Sequence, residues 1–204
     1  VFDMPEYYSE HFASDIQFDP PFNKYVDLRQ SYFDDGMEYF SNFDPSVLDL
    51  YDVLGVEKEI RFELGGKMFV GYIDCLLRDK QTDCIIILDH KSAKMKFKKT
   101  GEISKTDQRH FDDFKRQLYL YSIPIIEEYG KCDELAWNLF RMNKRISIEW
   151  NQNDFEEAKN WAVNTIKMIE NFGQYNANPE NYYYCHNLCS QRLSGCEFMG
   201  GCDA

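Results

Sequence analysis

The chain's 204 residues, 44% of them hydrophobic, suffice for one globular domain with a sizeable core. A net charge of −12 excludes a protein that coats nucleic acid indiscriminately, because neutralising phosphates takes clustered Lys and Arg. With no apolar run near the ~20 residues of a membrane span, and no secretory signal at Val1, the expectation is a cytoplasmic protein, not membrane-bound, trimmed at its start.

Residues 1–24 are rich in aromatics, acids and prolines (Pro5, Pro20, Pro21) and hold no sustained period, so an irregular lead-in with at most a short helical turn is predicted. From Tyr25, the residues Val26, Phe33, Met37, Phe40 and Phe43 recur at roughly helical spacing, which predicts a core-packing amphipathic helix to about Asn42. Residues 57–64 alternate polar and apolar as a half-buried strand does, Gly65-Gly66 supplies a hairpin turn, and a second strand runs from Lys67 to Leu77. After a polar turn at 79–83, Cys84 to Asp89 is almost continuously apolar, as a central strand buried on both faces should be. Three antiparallel strands are expected.

Residues 91–105 carry six lysines against one glutamate, a local balance of +5. Such a run reads either as a solvated loop or, given its place directly after a strand, as a phosphate-tracking loop in which Lys94, Lys96, Lys98 and Lys99 would contact nucleic acid. A helix follows from about Thr106 to Glu128, with Pro124 expected to kink it or end its regular part, and with Gln117 and Tyr121 on one face. Strands at 134–141 and 145–150 come next, then a long helix with Asp154 as N-cap and Gly173 as stop. The order predicts an α/β fold: an α+β mixed sheet flanked by helices.

The chemistry concentrates between Gly71 and Lys91. Asp74 and Asp89 end adjacent predicted strands, and Lys91, two residues after Asp89, points to the same face by the period of two. Phosphodiester hydrolysis needs a hydroxide-like nucleophile and neutralisation of charge on the phosphoryl oxygens, both of which a divalent cation supplies. Mg²⁺ takes one or two carboxylates and keeps several waters, which suits Asp74 and Asp89 with the backbone carbonyl of His90 as a further oxygen. The Lys91 ammonium would position the attacking water or stabilise the transition state.

Gly71-Tyr72-Ile73-Asp74, then Asp89-His90-Lys91, then Gln117-x-x-x-Tyr121, in that order, resembles the PD-(D/E)xK nuclease superfamily, and within it the RecB-like branch with its CRISPR-associated and phage exonucleases. The resemblance spans roughly residues 25 to 202. It implies a restriction-endonuclease-like core, Mg²⁺ or Mn²⁺ on Asp74 and Asp89, a catalytic Lys91, and Gln117 and Tyr121 holding the site or the DNA backbone. It also implies a DNA exonuclease acting on ends or single strands in recombination, repair or phage DNA processing, in a bacterial or phage-infected cell. Relatives usually carry a His or Glu upstream that completes the metal shell. Here His11 and Glu38 are the upstream candidates within the chain, but the favoured expectation is a ligand on a segment before Val1; a protein partner is a further expectation.

Residues 25–180 would form the nuclease core and 181–204 a cysteine-rich, metal-binding tail. Cys185, Cys189, Cys196 and Cys202 could hold Zn²⁺ or a [4Fe–4S] cluster, the latter because RecB-like nucleases often carry an iron–sulfur staple. The competing readings are a nuclease-fold module that binds DNA or protein without cutting, and a zinc-clipped interaction domain in which Asp-x-Lys is coincidence.

Overall fold

Gly65 and Gly66, at φ +60° and +74°, make the left-handed turn that two-residue hairpins favour, and they join the two longest strands, β1 (Tyr51–Leu64) and β2 (Lys67–Asp79). The computed structural model describes residues 2–16 and 23–171. Before the hairpin come α1 (Met4–Asp15) and α2 (Leu28–Asn42). After it follow β3 (Ile85–Lys91), α3 (Gln108–Tyr129), β4 (Glu134–Leu139), β5 (Lys144–Glu149) and α4 (Gln152–Asn171), with 3₁₀ turns at Pro45–Leu50 and Phe140–Met142.

The five strands form one sheet in the order β1-β2-β3-β4-β5, antiparallel throughout except for the parallel pair β3–β4, which α3 connects. The mixed α/β sheet and the three antiparallel strands expected from the sequence are therefore present. β3 and β4 are inner strands, buried over Ile85–Ile87 and over Leu135–Leu139, which accounts for their apolar runs. On one face, α3 and α4 press Phe111, Leu118, Ile125, Ala158 and Ala162 onto Ile73, Leu76, Ile85, Ile87, Leu135 and Trp137. The other face holds a smaller cluster of Leu77, Ile86 and Ala136.

Several expectations need correction. Part of the predicted lead-in is the twelve-residue helix α1, started by the Asp3 side chain accepting from the Glu6 N–H at 3.0 Å. It packs on α2 through aromatic rings (Tyr8 stacked on Phe33 and tilted against Phe40, Phe12 edge-on to Phe33) and the Tyr8 hydroxyl donating to the Tyr32 carbonyl, so its sequence shows no clean apolar stripe. α2 starts at Leu28 under an Asp27 cap, and only Gly36 of it is buried, so it is not the core-packing helix its spacing suggested. Gly36 lies so close to the Tyr8 ring that a Cβ there would stand 2.2 Å from the hydroxyl.

α3 runs through Pro124 to Tyr129 and ends at Gly130, in the left-handed conformation. α4 is capped by Asn151, whose Oδ1 accepts from the Asp154 N–H at 2.9 Å, and not by Asp154. Gly173, its expected stop, lies outside the described residues.

The lysine-rich stretch is an exposed loop that folds back on itself through the bridge Phe97↔Ile103, with Lys94, Lys96, Lys98 and Lys99 all facing solvent. Lys98 N–H donates to the Glu102 carbonyl, Ser104 N–H donates to the Lys96 carbonyl, and Met95 and Ile103 are buried. Lys94 and Arg141 both close on Asp35 of α2, at 2.8 and 2.9 Å. Burial alone would raise the Asp35 pKa, but hydrogen bonds and charge from these two cations outweigh it and hold the carboxyl below its usual range.

This clamp fixes α2 against the sheet end. Replacing Asp35 with Ala leaves Arg141, whose side chain is only 12% exposed, without its carboxylate, and should cost about 1–3 kcal/mol in urea unfolding at pH 7. Since the folded-state pKa is depressed, the contribution exists above the unfolded value of ~3.9 and disappears as pH falls through the lowered folded value. The wild-type advantage should thus be constant from pH 7 to 5 and vanish only in stronger acid.

Candidate active site

The buried face of β2 changes between Ile73 and Leu76, which lie three apart yet are both buried beneath α3. Pairing with β1 keeps one register from Gly55↔Leu76 to Lys58↔Ile73 and shifts between Val53 and Gly55, and opposite this stretch Glu57 has φ +48°, an uncommon conformation for a residue with a Cβ. Asp74, two residues before Leu76, shares its face by the period of two. On β3, Asp89 and Lys91 continue the face of Ile85 and Ile87.

Ladder pairing between β2 and β3 ends at Cys75↔Leu88, one step short of Asp74 and Asp89. Beyond it, Asp74 Oδ2 accepts the backbone N–H of His90 at 2.6 Å. A side-chain carboxylate thus takes over from the ladder where the strands part.

Asp89 is buried, its side chain 6% exposed, and the Lys91 ammonium lies 2.7 Å from its Oδ2. That contact is close but poorly aligned for a hydrogen bond, and Oδ2 has no hydrogen-bond partner. Burial raises the Asp89 pKa. The Lys91 ammonium opposes that rise without cancelling it, and Asp74 adds to it. An ammonium at 2.7 Å is a strong neighbour to the carboxylate whatever its angle.

Lys91 Nζ also donates to Gln117 Oε1 at 3.0 Å and lies 4.7 Å from the centre of the Phe114 ring. Gln117 Nε2 in turn donates to the Tyr121 hydroxyl at 3.1 Å. Gly71 lets Tyr121 reach this position: a Cβ there would stand 2.6 Å from the ring. The structure thus brings together Asp74, Asp89, Lys91, Gln117 and Tyr121, and gives the glycine of Gly-x-x-Asp a steric role.

A polar chain on the opposite face escaped the sequence reading. His90 Nδ1 lies 3.0 Å from Asn138 Nδ2, which also donates to the Tyr39 hydroxyl of α2 at 2.8 Å. With the amide as donor, Nδ1 is the acceptor. Asn138 is 8% exposed, and the available signal was one amide inside the apolar run Leu135-Ala136-Trp137-Asn138-Leu139.

Lys94 is paired with Asp35 and Lys98 with Glu102, while Lys96 and Lys99 are exposed. His11, half-buried on α1, contacts its own helix at the Tyr7 carbonyl and ring, and the Glu38 carbonyl accepts from Asn42. These contacts link neither residue to Asp74 or Asp89. Cys185, Cys189, Cys196 and Cys202 lie outside the described residues.

Among the described residues no cluster of three or more His, Cys, Asp or Glu side chains could hold a metal. A site closed by protein side chains is therefore not on offer there. Two carboxylates, one with a buried oxygen lacking a hydrogen bond, still suit a hard cation that keeps part of its water shell. No helix among the described residues is long and apolar enough to cross a membrane.

The family model described as the PD-(D/E)XK nuclease superfamily matches residues 8–203. A crystal structure of a protein from Eubacterium rectale, provisionally named an exonuclease, aligns with a TM-score of 0.43 at 14% identity, covering 81% of this chain and 64% of that one. This chain thus spans less than two thirds of that protein, and likeness at this level is too distant to carry an argument. No curated protein matches the sequence.

The raised Asp89 pKa has a stability consequence. A carboxyl that holds its proton more tightly when folded makes the fold less stable as pH rises from the unfolded value of ~3.9 through the raised folded value. Asp89→Asn mimics the neutral acid, so in metal-free buffer at pH 7 it should melt a few degrees above wild type by calorimetry, with the gap closing toward pH 4. A lower melting temperature at pH 7 would show that the Lys91 contact outweighs desolvation.

Proposed function

The chain belongs to the PD-(D/E)XK nuclease superfamily, and from that premise we propose a divalent-metal-dependent deoxyribonuclease of the RecB-like branch, working as an exonuclease on DNA ends or single strands. Recombination, repair or phage DNA processing is the setting this activity suits. The observation that carries the reading is the meeting of Asp74 and Asp89 at the parting of β2 and β3, with Lys91 beside Asp89 and braced by Gln117.

Asp74 and Asp89, with the His90 carbonyl, would hold Mg²⁺ or Mn²⁺. When bound, such a cation supplies a hydroxide-like nucleophile near neutral pH and neutralises charge on the phosphoryl oxygens. The other roles belong to the chain's own side chains. Lys91 places a positive charge where negative charge grows in the transition state, and its hydrogen bond to Gln117 limits the orientations of its ammonium. Tyr121 holds the Gln117 amide so that its oxygen, not its nitrogen, meets the ammonium. The His90 N–H fixes one oxygen of Asp74, which reduces the reorganisation needed when substrate arrives. Lys96 and Lys99 are the better placed of the predicted phosphate contacts, since Lys94 and Lys98 already face acids.

End-labelled linear DNA and closed circular DNA, incubated with Mg²⁺ or Mn²⁺, provide the test. Wild type should shorten the linear substrate and spare the circle, chelator should stop the reaction, and Asp74→Asn, Asp89→Asn and Lys91→Ala should each lose about 100-fold or more in rate. Equal rates in wild type and variants would remove the assignment to these residues. Equal cutting of the circle would remove the exonuclease reading alone.

A further inference from the structure

A cavity of about 480 Å³ opens between the β1–β2 hairpin, α3 and α4, and Gln117 and Tyr121, which brace Lys91, also line it. We propose that this cavity is a nucleobase subsite that takes one unpaired base of the strand being cut; the proposal rests on the nuclease reading above. Its volume lies in the range of small-ligand sites, roughly 300–1,000 Å³.

The lining suits a flat aromatic ligand. Phe62 and Phe69 stack at 5.1 Å and 9°, and the Arg116 guanidinium lies over the Trp161 ring at 5.3 Å. Arg116 Nη1 is paired with Asp113 at 2.8 Å, which neutralises the cation and makes this a poor phosphate site. Its Nε is buried with no hydrogen-bond partner, a donor the protein itself leaves unused. Trp161 is 44% exposed on α4, whose buried residues are Ala158 and Ala162, so its ring serves the cavity rim more than the core.

Proximity to the reaction centre selects the occupant. Gln117 touches Lys91 at 3.0 Å and Tyr121 touches Gln117 at 3.1 Å, so a ligand in the cavity lies against the side chains that support the catalytic lysine. For a phosphodiesterase, the group tethered within reach of the reacting phosphate is the adjacent nucleoside. Aromatic and guanidinium faces accept any base, because every base has a π face. A base paired and stacked in a duplex cannot enter without being unstacked, so the subsite favours single strands or frayed ends.

The test uses the full chain carrying Asp89→Asn, alone and combined with Trp161→Ala or Trp161→Phe, and a dye-labelled single-stranded oligonucleotide of mixed sequence read by anisotropy in Mg²⁺. A set of oligonucleotides with one abasic residue scanned along the strand completes it. Trp161→Ala should weaken binding about 5- to 150-fold, the range of one base–aromatic stack, and Trp161→Phe should recover most of the loss. One abasic position should reproduce that loss, and on that oligonucleotide Trp161→Ala should lose nothing further. Unchanged affinity in Trp161→Ala, or a loss that is the same for every abasic position, overturns the subsite. Cleavage by the chain with Asp89 intact separates the two readings: cutting with no Trp161 effect defeats only the subsite, whereas an abasic-dependent Trp161 effect without cutting defeats only the nuclease reading.

Discussion

A buried carboxylate with an ammonium against it sets the terms for the rest of this molecule. Asp89 sits on a central strand with almost no exposure, where an ionised carboxyl is costly unless paired and fully hydrogen-bonded. Lys91 supplies the charge but not an aligned hydrogen bond, and Asp74 adds a second negative charge nearby. The proposed cation would relieve that surplus of negative oxygen. The apolar sheet around it raises the strength of every such interaction.

The supports of that pair fall on both faces of the sheet. On the helix-covered face, Gly71, Tyr121 and Gln117 form a continuous path to Lys91, each step depending on the last: without the missing Cβ at Gly71, Tyr121 could not occupy its place. On the other face, Tyr39 and Asn138 tie the His90 ring to α2, and Asp35 ties α2 to Lys94 and Arg141. The peptide between the two charged residues of β3 is thus gripped from the side away from the chemistry. Placing such a site on strands rather than loops favours precise positioning, and the left-handed backbone of Glu57 beside it is the kind of local departure that functional sites carry.

Strand alternation, the glycine turn and the two buried apolar runs are short-range signals, and from them β1 to β5, α3, α4 and the mixed sheet were legible. So was the order Gly71, Asp74, Asp89, Lys91, Gln117, Tyr121, because each residue type has a chemical or steric reason to be where it is. What escaped depends on contacts between distant segments. α1 is held by aromatic packing on α2, and α2 by one acid facing two cations. In the lysine-rich stretch the charges mask Met95 and Ile103, which pin the exposed loop to the core. Trp161 looked like any other apolar position on α4, and only the packing of the hairpin and α3 beside it creates a cavity.

Anomalous diffraction from crystals soaked in Mn²⁺ tests the arrangement at Asp74, Asp89 and Lys91 most directly. The predicted result is a Mn²⁺ peak between the two carboxylates, roughly 2 Å from an oxygen of each, with Lys91 still held by Gln117. Mn²⁺ bound elsewhere, with both carboxylates free at a concentration that supports DNA cleavage, would contradict it.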